Sequence, residues 1–310
     1  MSSYSEKEAK CLFAFSQLGN THHLWTPENH EIIFTSSDDF RTGMSIFGIA
    51  SRLTPQVKIL TFELMSNHVH ITASGEAENL LAMFDLFRKM LARWLKGCDR
   101  PQSLDNFKAS IRQITTLEDL RNVIVYDNRN GFVVSDSHTP FSYPWGANRY
   151  YFSPDSCRLA MAEAKVMGLR ERRLVSHSRA ADAIDDLQSF EGCALPLSFC
   201  DVALGECMFR DATHYFNRLS KSVESNAIIA KEIGESMWHT DDEMYSIAVK
   251  ICRERFEASS PRLLNPAAKL ELARILHYEF SANLKQVQRM LRIDKSLLDA
   301  MGLGGNYATK

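Results

Sequence analysis

The chain has 310 residues, of which 45% are apolar and 24% are charged. This composition is ordinary for a globular protein with a sizeable core, and it excludes the disordered and collagen-like classes. Lys and Arg number 36 against 38 Asp and Glu. No chain-wide basic field therefore indicates a nucleic-acid partner, and such a partner would have to meet a local patch.

The expected location follows from apolar runs and cysteines. No stretch of the sequence approaches the 18 apolar residues of a membrane span, and charges precede the short apolar run near the start. Seven cysteines are scattered without a C-x-x-C pair, which is typical of reduced thiols. We therefore expect a cytoplasmic protein without a membrane partner.

The N-terminal half alternates between strand and helix patterns. The segment HLWT at 23–26 and the following run EIIF predict one edge strand. Helical spacing and alternation then predict, in order, a helix over 38–53, strands over 57–65 and 68–73, a helix over 76–96, a strand over 107–112 and a helix ending at Gly131. This order predicts a ferredoxin-like (RRM-like) α+β fold, with an antiparallel sheet, helices on one face and one added helix.

The second half lacks strand patterns after Phe152 and is predicted to be all-helical. We expect three parts, covering 1–152, a helical region at 153–260 and a basic region at 261–310. The last part holds eight Lys or Arg against four acids, a net charge of +4. Its pattern predicts short helices over 267–280, 283–291 and 295–301, which together resemble a helix-turn-helix.

Two histidines suggest a metal site. His68 and His70 lie on one face of a predicted strand, close enough to converge on one cation. Chance or side-chain packing produces the same pattern, and two ligands do not make a site. Seven further histidines show no ligand spacing and are assigned no role: His22, His23, His138, His177, His214, His239 and His277.

A polar stripe on the last predicted helix of the first half faces the sheet. Asn122, Tyr126 and Asn130 recur at four-residue spacing, so Tyr126 and Asn130 can point together at the sheet. A solvated helix face has the same spacing. A phenol is a poor nucleophile at neutral pH because its pKa is near 10, and a nearby divalent cation would activate it and polarise a phosphate.

Three segments together resemble the HUH single-tyrosine transposases, in particular the REP-associated type. ELMSNHVHITASG (63–75) is close to the family's strand motif M-[PS]-N-H-V-H, VIVYDNRNG (123–131) to its Y-x-x-x-N helix, and YPWGANRY (143–150) to its Y-P-W-S-S segment. The resemblance covers about residues 20–152. Gly131 stands where the family has Pro, and Ala147 where it has a small polar residue; neither change removes a catalytic atom.

The resemblance implies a site and a reaction. His68, His70 and Asn130 would bind Mg²⁺ or Mn²⁺, and Tyr126 would be the nucleophile. Its attack on single-stranded or hairpin DNA would give a 5′-phosphotyrosine and a free 3′-hydroxyl, so a DNA transposase of this type needs no ATP. We expect a monomer or homodimer associated with the nucleoid.

Two regions are expected to contact DNA. Trp145 and Arg149 lie where aromatic and basic residues interleave, which is typical of stacked bases and held phosphates, although a packed aromatic cover on the sheet has the same pattern. Arg289, Arg292 and Lys295 belong to the C-terminal basic region. The alternative for that region is a cap on the core or a dimer interface with solvated charges.

Two other functions fit parts of the pattern. A catalytically silent DNA-binding regulator derived from such a transposase would keep DNA recognition without cutting. A metal hydrolase of the amidohydrolase kind needs about eight strand-helix units, which a helical second half cannot supply. Metal-dependent nicking of a single-stranded oligonucleotide would separate the three readings.

Overall fold

A four-stranded antiparallel sheet organises the N-terminal part, in the order β2-β3-β1-β4. The computed structural model describes residues 3–27, 31–100, 104–133, 141–219, 241–279, 282 and 284–293. The strands are β1 (Thr21–Trp25), β2 (Lys58–Leu64), β3 (Val69–Ser74) and β4 (Ser110–Ile114). The helices around them are α1 (Ser3–Ser16), α2 (Ser37–Arg52), α3 (Ala77–Gly97) and α4 (Leu117–Val133). The predicted α+β class and antiparallel sheet are confirmed.

The two faces of the sheet differ in chemistry because neighbouring residues of a strand point to opposite sides. On one face, Phe62 of β2 packs against Phe47 of α2, with ring centroids 4.8 Å apart, and Phe47 in turn contacts Phe87 of α3 at 5.5 Å. On the other face, Thr61 and Thr72 hydrogen-bond side chains of α4. Thus α2 and α3 cover an apolar face, and α4 covers a polar one.

The first predicted strand is wrong in its position. β1 lies inside the sheet, paired with both β3 and β4, and is not an edge strand. The EIIF run is a loop whose apolar residues serve two cores: Ile33 and Phe34 belong to the main cluster, whereas Ile32 belongs to the C-terminal one. The N–H groups of Ile33 and Phe34 both donate to the Ser66 carbonyl, at 2.8 and 2.9 Å. Burial of this loop explains its strand-like composition.

Smaller differences concern element ends and α1. β4 begins at Ser110 because Phe107, three residues earlier, is fully buried beside Phe84 and anchors the preceding loop. α4 runs two residues beyond the predicted end at Gly131. α1 was not predicted; Glu8 fixes it to α4 by a bidentate pair with Arg121, at 2.8 and 3.1 Å.

The expectation of an all-helical second half is wrong. Residues 154–219 form α5 (Pro154–Glu163), β5 (Lys165–Val166), α6 (Leu169–Ser176), β6 (Gln188–Phe190), β7 (Cys193–Ala194), α7 (Val202–Glu206) and a helix over 212–219, here α8. The three strands pair as a small sheet in the order β5-β6-β7. Strands of two or three residues are too short for alternation to appear in the sequence.

One hydrophobic cluster extends from Cys11 to Leu219 and passes through the position of the predicted boundary at residue 153. A second cluster joins α9 (Asp241–Phe256), α10 (Pro266–Glu279) and α11 (Leu284–Leu291). α10 and α11 lie within one residue of the predicted helices. The third predicted helix, over 295–301, and Lys295 lie outside the described residues. None of the described helices is long and apolar enough to cross a membrane.

A buried polar network fixes α4 against α8. Thr61 donates to the side-chain oxygen of Asn128, and the Asn128 amide donates to the Tyr215 hydroxyl at 2.8 Å. Tyr215 donates to the Asn148 side-chain oxygen at 2.5 Å, and the Asn148 amide donates back to the Asn128 carbonyl at 2.8 Å. α8 thereby contributes to the position of α4 and of the residues that α4 carries.

We expect Tyr215→Phe to lower the free energy of unfolding by about 1–3 kcal/mol, because it removes one partner each from two buried amides, those of Asn128 and Asn148. Urea denaturation measures the change.

Tyr151→Phe is the matched control for this prediction. Its ring is also fully buried, stacked 5.3 Å from that of Tyr215. Its hydroxyl donates to the Leu60 carbonyl, which keeps the Cys200 thiol as a donor at 3.3 Å. The same hydroxyl also bonds to Thr61, which keeps the Asn128 side chain as a partner. The loss should therefore be smaller than for Tyr215→Phe, and an equal or larger loss would contradict the network.

Candidate functional site

Strand pairing brings polar side chains together on the sheet face that α4 covers. His70 of β3 lies between Trp25 of β1 and Glu63 of β2. In the neighbouring row, His23 of β1 pairs with Thr72 of β3. Residues paired across strands point to the same side, so His23 and His70 share this face although they lie 47 positions apart in the sequence.

α4 presents Asp127 to this face. The carboxylate accepts a hydrogen bond from the Thr72 hydroxyl through Oδ2 at 2.6 Å, which leaves Oδ1 directed at the histidines. Asn128, the next residue, accepts from Thr61. These two contacts set the rotation of α4, and Tyr126 on its adjoining side is 36% exposed.

His23, His70 and Asp127 form a compact buried group. Asp127 Oδ1 lies 3.1 Å from Nε2 of His23 and 3.8 Å from Nδ1 of His70. The imidazole rings are stacked with centroids 5.7 Å apart. One ligand atom from each residue lies within 4.8 Å of the other two, so the group could hold a metal ion.

The hydrogen bonding of the group fits a cation. Within the described part of the chain, Asp127 Oδ1, His23 Nε2 and both ring nitrogens of His70 are buried without a hydrogen-bond partner, because the short His23–Asp127 approach is not aligned as a hydrogen bond. Burial lowers the pKa of His70 to about 3, against an opposing effect of Asp127. The ring is therefore neutral at pH 7 and offers a lone pair.

The ligands implied by the resemblance occupy different positions. His70 belongs to the buried group. His68 packs edge-on against His70, with centroids 5.1 Å apart, and its Nδ1 lies 2.8 Å from the Asn67 side-chain oxygen. Asn130 is part of α4, but its side chain lies outside the described residues.

Tyr126 stands beside the group. Its ring makes edge contacts with His70 and His23, with centroids 5.4 and 6.2 Å apart. The guanidinium of Arg129 lies over the phenol ring, 5.0 Å from its centroid. The predicted nucleophile thus contacts two of the three residues that could hold an ion.

A groove of about 1240 Å³ opens over α4 and contains Tyr126 and His23. α1, the β4 edge and the segment that includes α8 form its other walls. Its basic lining residues are Arg112, Arg121, Arg129, Arg210 and Arg218, and its acidic ones are Glu8, Glu118, Asp119 and Asp211. Five arginines thus share the groove with Tyr126, and one of them, Arg129, contacts its ring, although the sequence shows no basic run there.

The residues predicted to contact DNA lie elsewhere. Trp145 stacks on Phe40, with centroids 5.1 Å apart and planes at 11°, and Arg149 pairs with both oxygens of Glu191. Arg292 forms a 3.7 Å ion pair with Glu31, and Arg289 is half-buried. Of the predicted DNA contacts that the structure describes, none lines the groove.

The sequence did not identify His23 and Asp127. His23 has no ligand spacing to His70, because β1 is far from β3 in the chain. Asp127 was detectable: it follows Leu120, Val123 and Ile124 on the buried side of α4, and an acid in an apolar stripe indicates a buried polar role.

We expect His23→Ala, His70→Ala and Asp127→Asn each to weaken Mn²⁺ binding at least about tenfold, because each removes or neutralises one of three ligands. Isothermal titration calorimetry measures the affinity. His22→Ala is the matched control, since His22 is also buried on β1 but points to the opposite side of the strand and lies 3.1 Å from the Gly75 carbonyl. Equal loss in the control would mean that these histidines are structural.

His68→Ala separates the two ligand sets. The buried group predicts that this variant keeps most of its Mn²⁺ affinity, because His68 is not one of the three residues. A loss as large as that of His70→Ala would favour the ligand set implied by the resemblance.

Acid should destabilise the metal-free protein through the same rings. Burial lowers the pKa of His68 and of His70 to about 3, below the ordinary 6.5. As the pH falls from about 6.5 towards 3, the unfolded chain takes up protons that the folded chain does not, so the free energy of unfolding falls by up to about 1.4 kcal/mol per pH unit for each ring. Urea denaturation in EDTA measures this slope. The double variant His68→Gln with His70→Gln should flatten it, and an unchanged slope would be the contrary result.

Comparisons of this chain with protein-family models, with curated proteins and with solved structures give no match. The resemblance to the HUH single-tyrosine transposases therefore rests on the three sequence segments. The chemistry of the site rests on the juxtaposition of Tyr126 with the buried His23–His70–Asp127 group.

Proposed function

We propose that this protein is a metal-dependent DNA transposase that nicks and rejoins single-stranded or hairpin DNA through a 5′-phosphotyrosine intermediate. The observation that carries the proposal is the position of Tyr126. Its phenol is partly exposed in an arginine-lined groove, and its ring contacts two histidines of the buried group. A nucleophile, a potential ion site and cationic side chains thus lie within one region.

The proposed fold of the first part is ferredoxin-like. The strand order β2-β3-β1-β4 and the connections β1-α2-β2 and β3-α3-β4 support it. α4 is then the added helix, and it places Tyr126 at the polar face of the sheet. The proposed assignment also agrees with the segments that resemble the HUH family.

The proposed cofactor is Mg²⁺ or Mn²⁺. His23, His70 and Asp127 would hold it, and two imidazoles with one carboxylate suit Mn²⁺ better than Mg²⁺, which prefers oxygen ligands. When bound, the ion supplies positive charge that polarises a phosphodiester near Tyr126. His68 and Asn130 stay as ligands predicted from the resemblance, and His68→Ala tests the first of them.

The proposed reaction exchanges one phosphate ester for another. The Tyr126 oxygen attacks the phosphorus, a bond forms between them, and the bond from phosphorus to the 3′ oxygen breaks. The phenol loses one proton and the departing 3′ oxygen gains one, so the step is balanced without a nucleotide cofactor. A free 3′-hydroxyl on another end reverses the step and rejoins the strand.

The residues around Tyr126 have separate roles in this step. Asp127 and Asn128 hold α4 on the sheet, which fixes the direction of the phenol. The Arg129 guanidinium at the ring supplies a fixed positive charge next to the phosphate that Tyr126 attacks. Arg129 is half-buried, so less water screens its charge than at an exposed position.

We expect Tyr126→Phe to abolish the covalent adduct with a single-stranded hairpin oligonucleotide, because only the attacking oxygen is lost. A denaturing gel of protein incubated with labelled DNA and Mn²⁺ shows the adduct. Folding should be nearly unchanged, since the side chain is partly exposed. Tyr245→Phe, in the C-terminal cluster, is the matched control and should form the adduct in full yield.

EDTA present from the start of the incubation should prevent formation of the adduct, and excess Mn²⁺ should restore it. An adduct of undiminished yield in Tyr126→Phe would show that Tyr126 is not the nucleophile. Binding of the hairpin without any adduct in the unaltered protein would favour the catalytically silent regulator.

A further inference from the structure

The arginines of the groove are arranged along the helix that carries Tyr126. Glu118, Asn122 and Tyr126 recur every four residues, so they share one face of α4 at about 6 Å per step. Arg218 of α8 reaches this face: it donates to Asn122 Oδ1 at 3.0 Å and pairs with Glu118. Its guanidinium therefore lies about one helical turn from Tyr126.

Arg129, three residues beyond Tyr126 on α4, places its guanidinium carbon 5.0 Å from the centroid of the phenol ring. Tyr126 and both arginines line the same groove. A phosphodiester that reached the Tyr126 oxygen would therefore come near guanidinium groups. Arginine suits this role because its planar fork matches phosphate geometry.

Carboxylates now occupy the positions that phosphate oxygens would take. Arg112 at the β4 edge makes two hydrogen bonds to Asp119, at 2.6 and 3.1 Å, and is 46% exposed. Glu118, the partner of Arg218, is 59% exposed, and the hydrogen bond from Arg218 lowers the pKa of its carboxyl group. Exposed ion pairs contribute little to stability, so a phosphate can replace Asp119 at Arg112 at small cost to the fold. Arg218 is 23% exposed, and it keeps His214 and Asn122 as partners when a phosphate replaces Glu118.

We propose that this groove binds the sugar-phosphate backbone of a single nucleic-acid strand, with Arg218 and Arg112 exchanging Glu118 and Asp119 for backbone phosphates beside Tyr126. The inference deepens the proposed function and rests on it. It assigns strand binding to α8, which lies outside the 20–152 region of resemblance, and to the groove. Trp145 and Arg149 then serve packing against Phe40 and pairing with Glu191.

The test measures binding without cutting. Fluorescence anisotropy of a labelled oligo(dT) of about 20 nucleotides is followed with the full chain carrying Tyr126→Phe, over a salt series. Arg218→Met or Arg112→Met added to this chain should weaken binding about fivefold to tenfold near 0.1 M salt. Each should also lower the slope of log affinity against log salt by about 0.7.

Glu118→Gln provides the opposite test. It removes the competing carboxylate, so the strand should bind about threefold more tightly. If the Glu118–Arg218 pair served only the fold, Glu118→Gln would weaken binding in step with Arg218→Met, and this result would overturn the proposal.

The matched controls lie on α5. Arg158 and Asp155 form an exposed ion pair at 2.8 Å that does not line the groove. Arg158→Met and Asp155→Asn change the net charge as the groove variants do, and each should alter affinity less than about twofold. Groove variants that match these controls would overturn the proposal, because net charge alone would then explain binding.

Two further outcomes have distinct meanings. Inorganic phosphate or a mononucleotide that displaced oligo(dT) at micromolar concentration would show a site for a small phosphorylated molecule, and would refute strand binding. Strand binding that depends on these arginines, in a protein that forms no adduct, would refute the proposed function but support the proposal that the groove binds a strand. If Arg218→Met lowers the melting temperature, the binding result for Arg112→Met decides whether the proposal holds. Arg112 is exposed on an edge strand and tolerates replacement.

Discussion

The structure depends on burying a polar sheet face. A sheet covered on both sides must satisfy every hydroxyl and carboxylate that it buries, because an unmatched buried polar group costs about 1–3 kcal/mol. Thr61 and Thr72 on β2 and β3 impose this requirement, and Asn128 and Asp127 on α4 meet it. An apolar helix could not occupy this place. The polar pairs therefore fix the rotation of α4, and Tyr126 is directed into the groove as a result.

The requirement that buried polar atoms have partners also applies to the histidines, and there it indicates a ligand. In the described part of the chain, His70 is 3% exposed and neither ring nitrogen has a hydrogen-bond partner. Asp127 Oδ1 is likewise unmatched although the other oxygen is bonded. A cation would take one ligand atom from each of His23, His70 and Asp127 and balance the buried carboxylate charge. Ion binding would then also join β1, β3 and α4, which couples the site to the stability of the sheet.

Some features of this site were predictable from the sequence, and others were not. Alternation in β2 and β3 and the apolar stripe of α3 act locally, so these elements were found to within one or two residues. The four-residue spacing of Asn122, Tyr126 and Asn130 is local too, but the role of Tyr126 as nucleophile was implied by the resemblance and stays a prediction. His23 required knowledge that β1 pairs with β3, and Arg218 required knowledge that α8 folds back onto α4. Contacts between residues far apart in the chain produce no periodic pattern in a single sequence.

The loop at 31–36 joins the two hydrophobic clusters, because neighbouring residues of the loop enter different clusters. Ile32 enters the C-terminal cluster, whereas Ile33 enters the main one and its N–H, like that of Phe34, is bonded to Ser66. Tyr245 and Arg262 reach back to the same loop through hydrogen bonds to the Thr35 and Ile32 carbonyls. Loops ordinarily accept insertions and deletions. Here a frame change of one residue would send each side chain to the wrong core, so the length of this loop is as constrained as that of a strand.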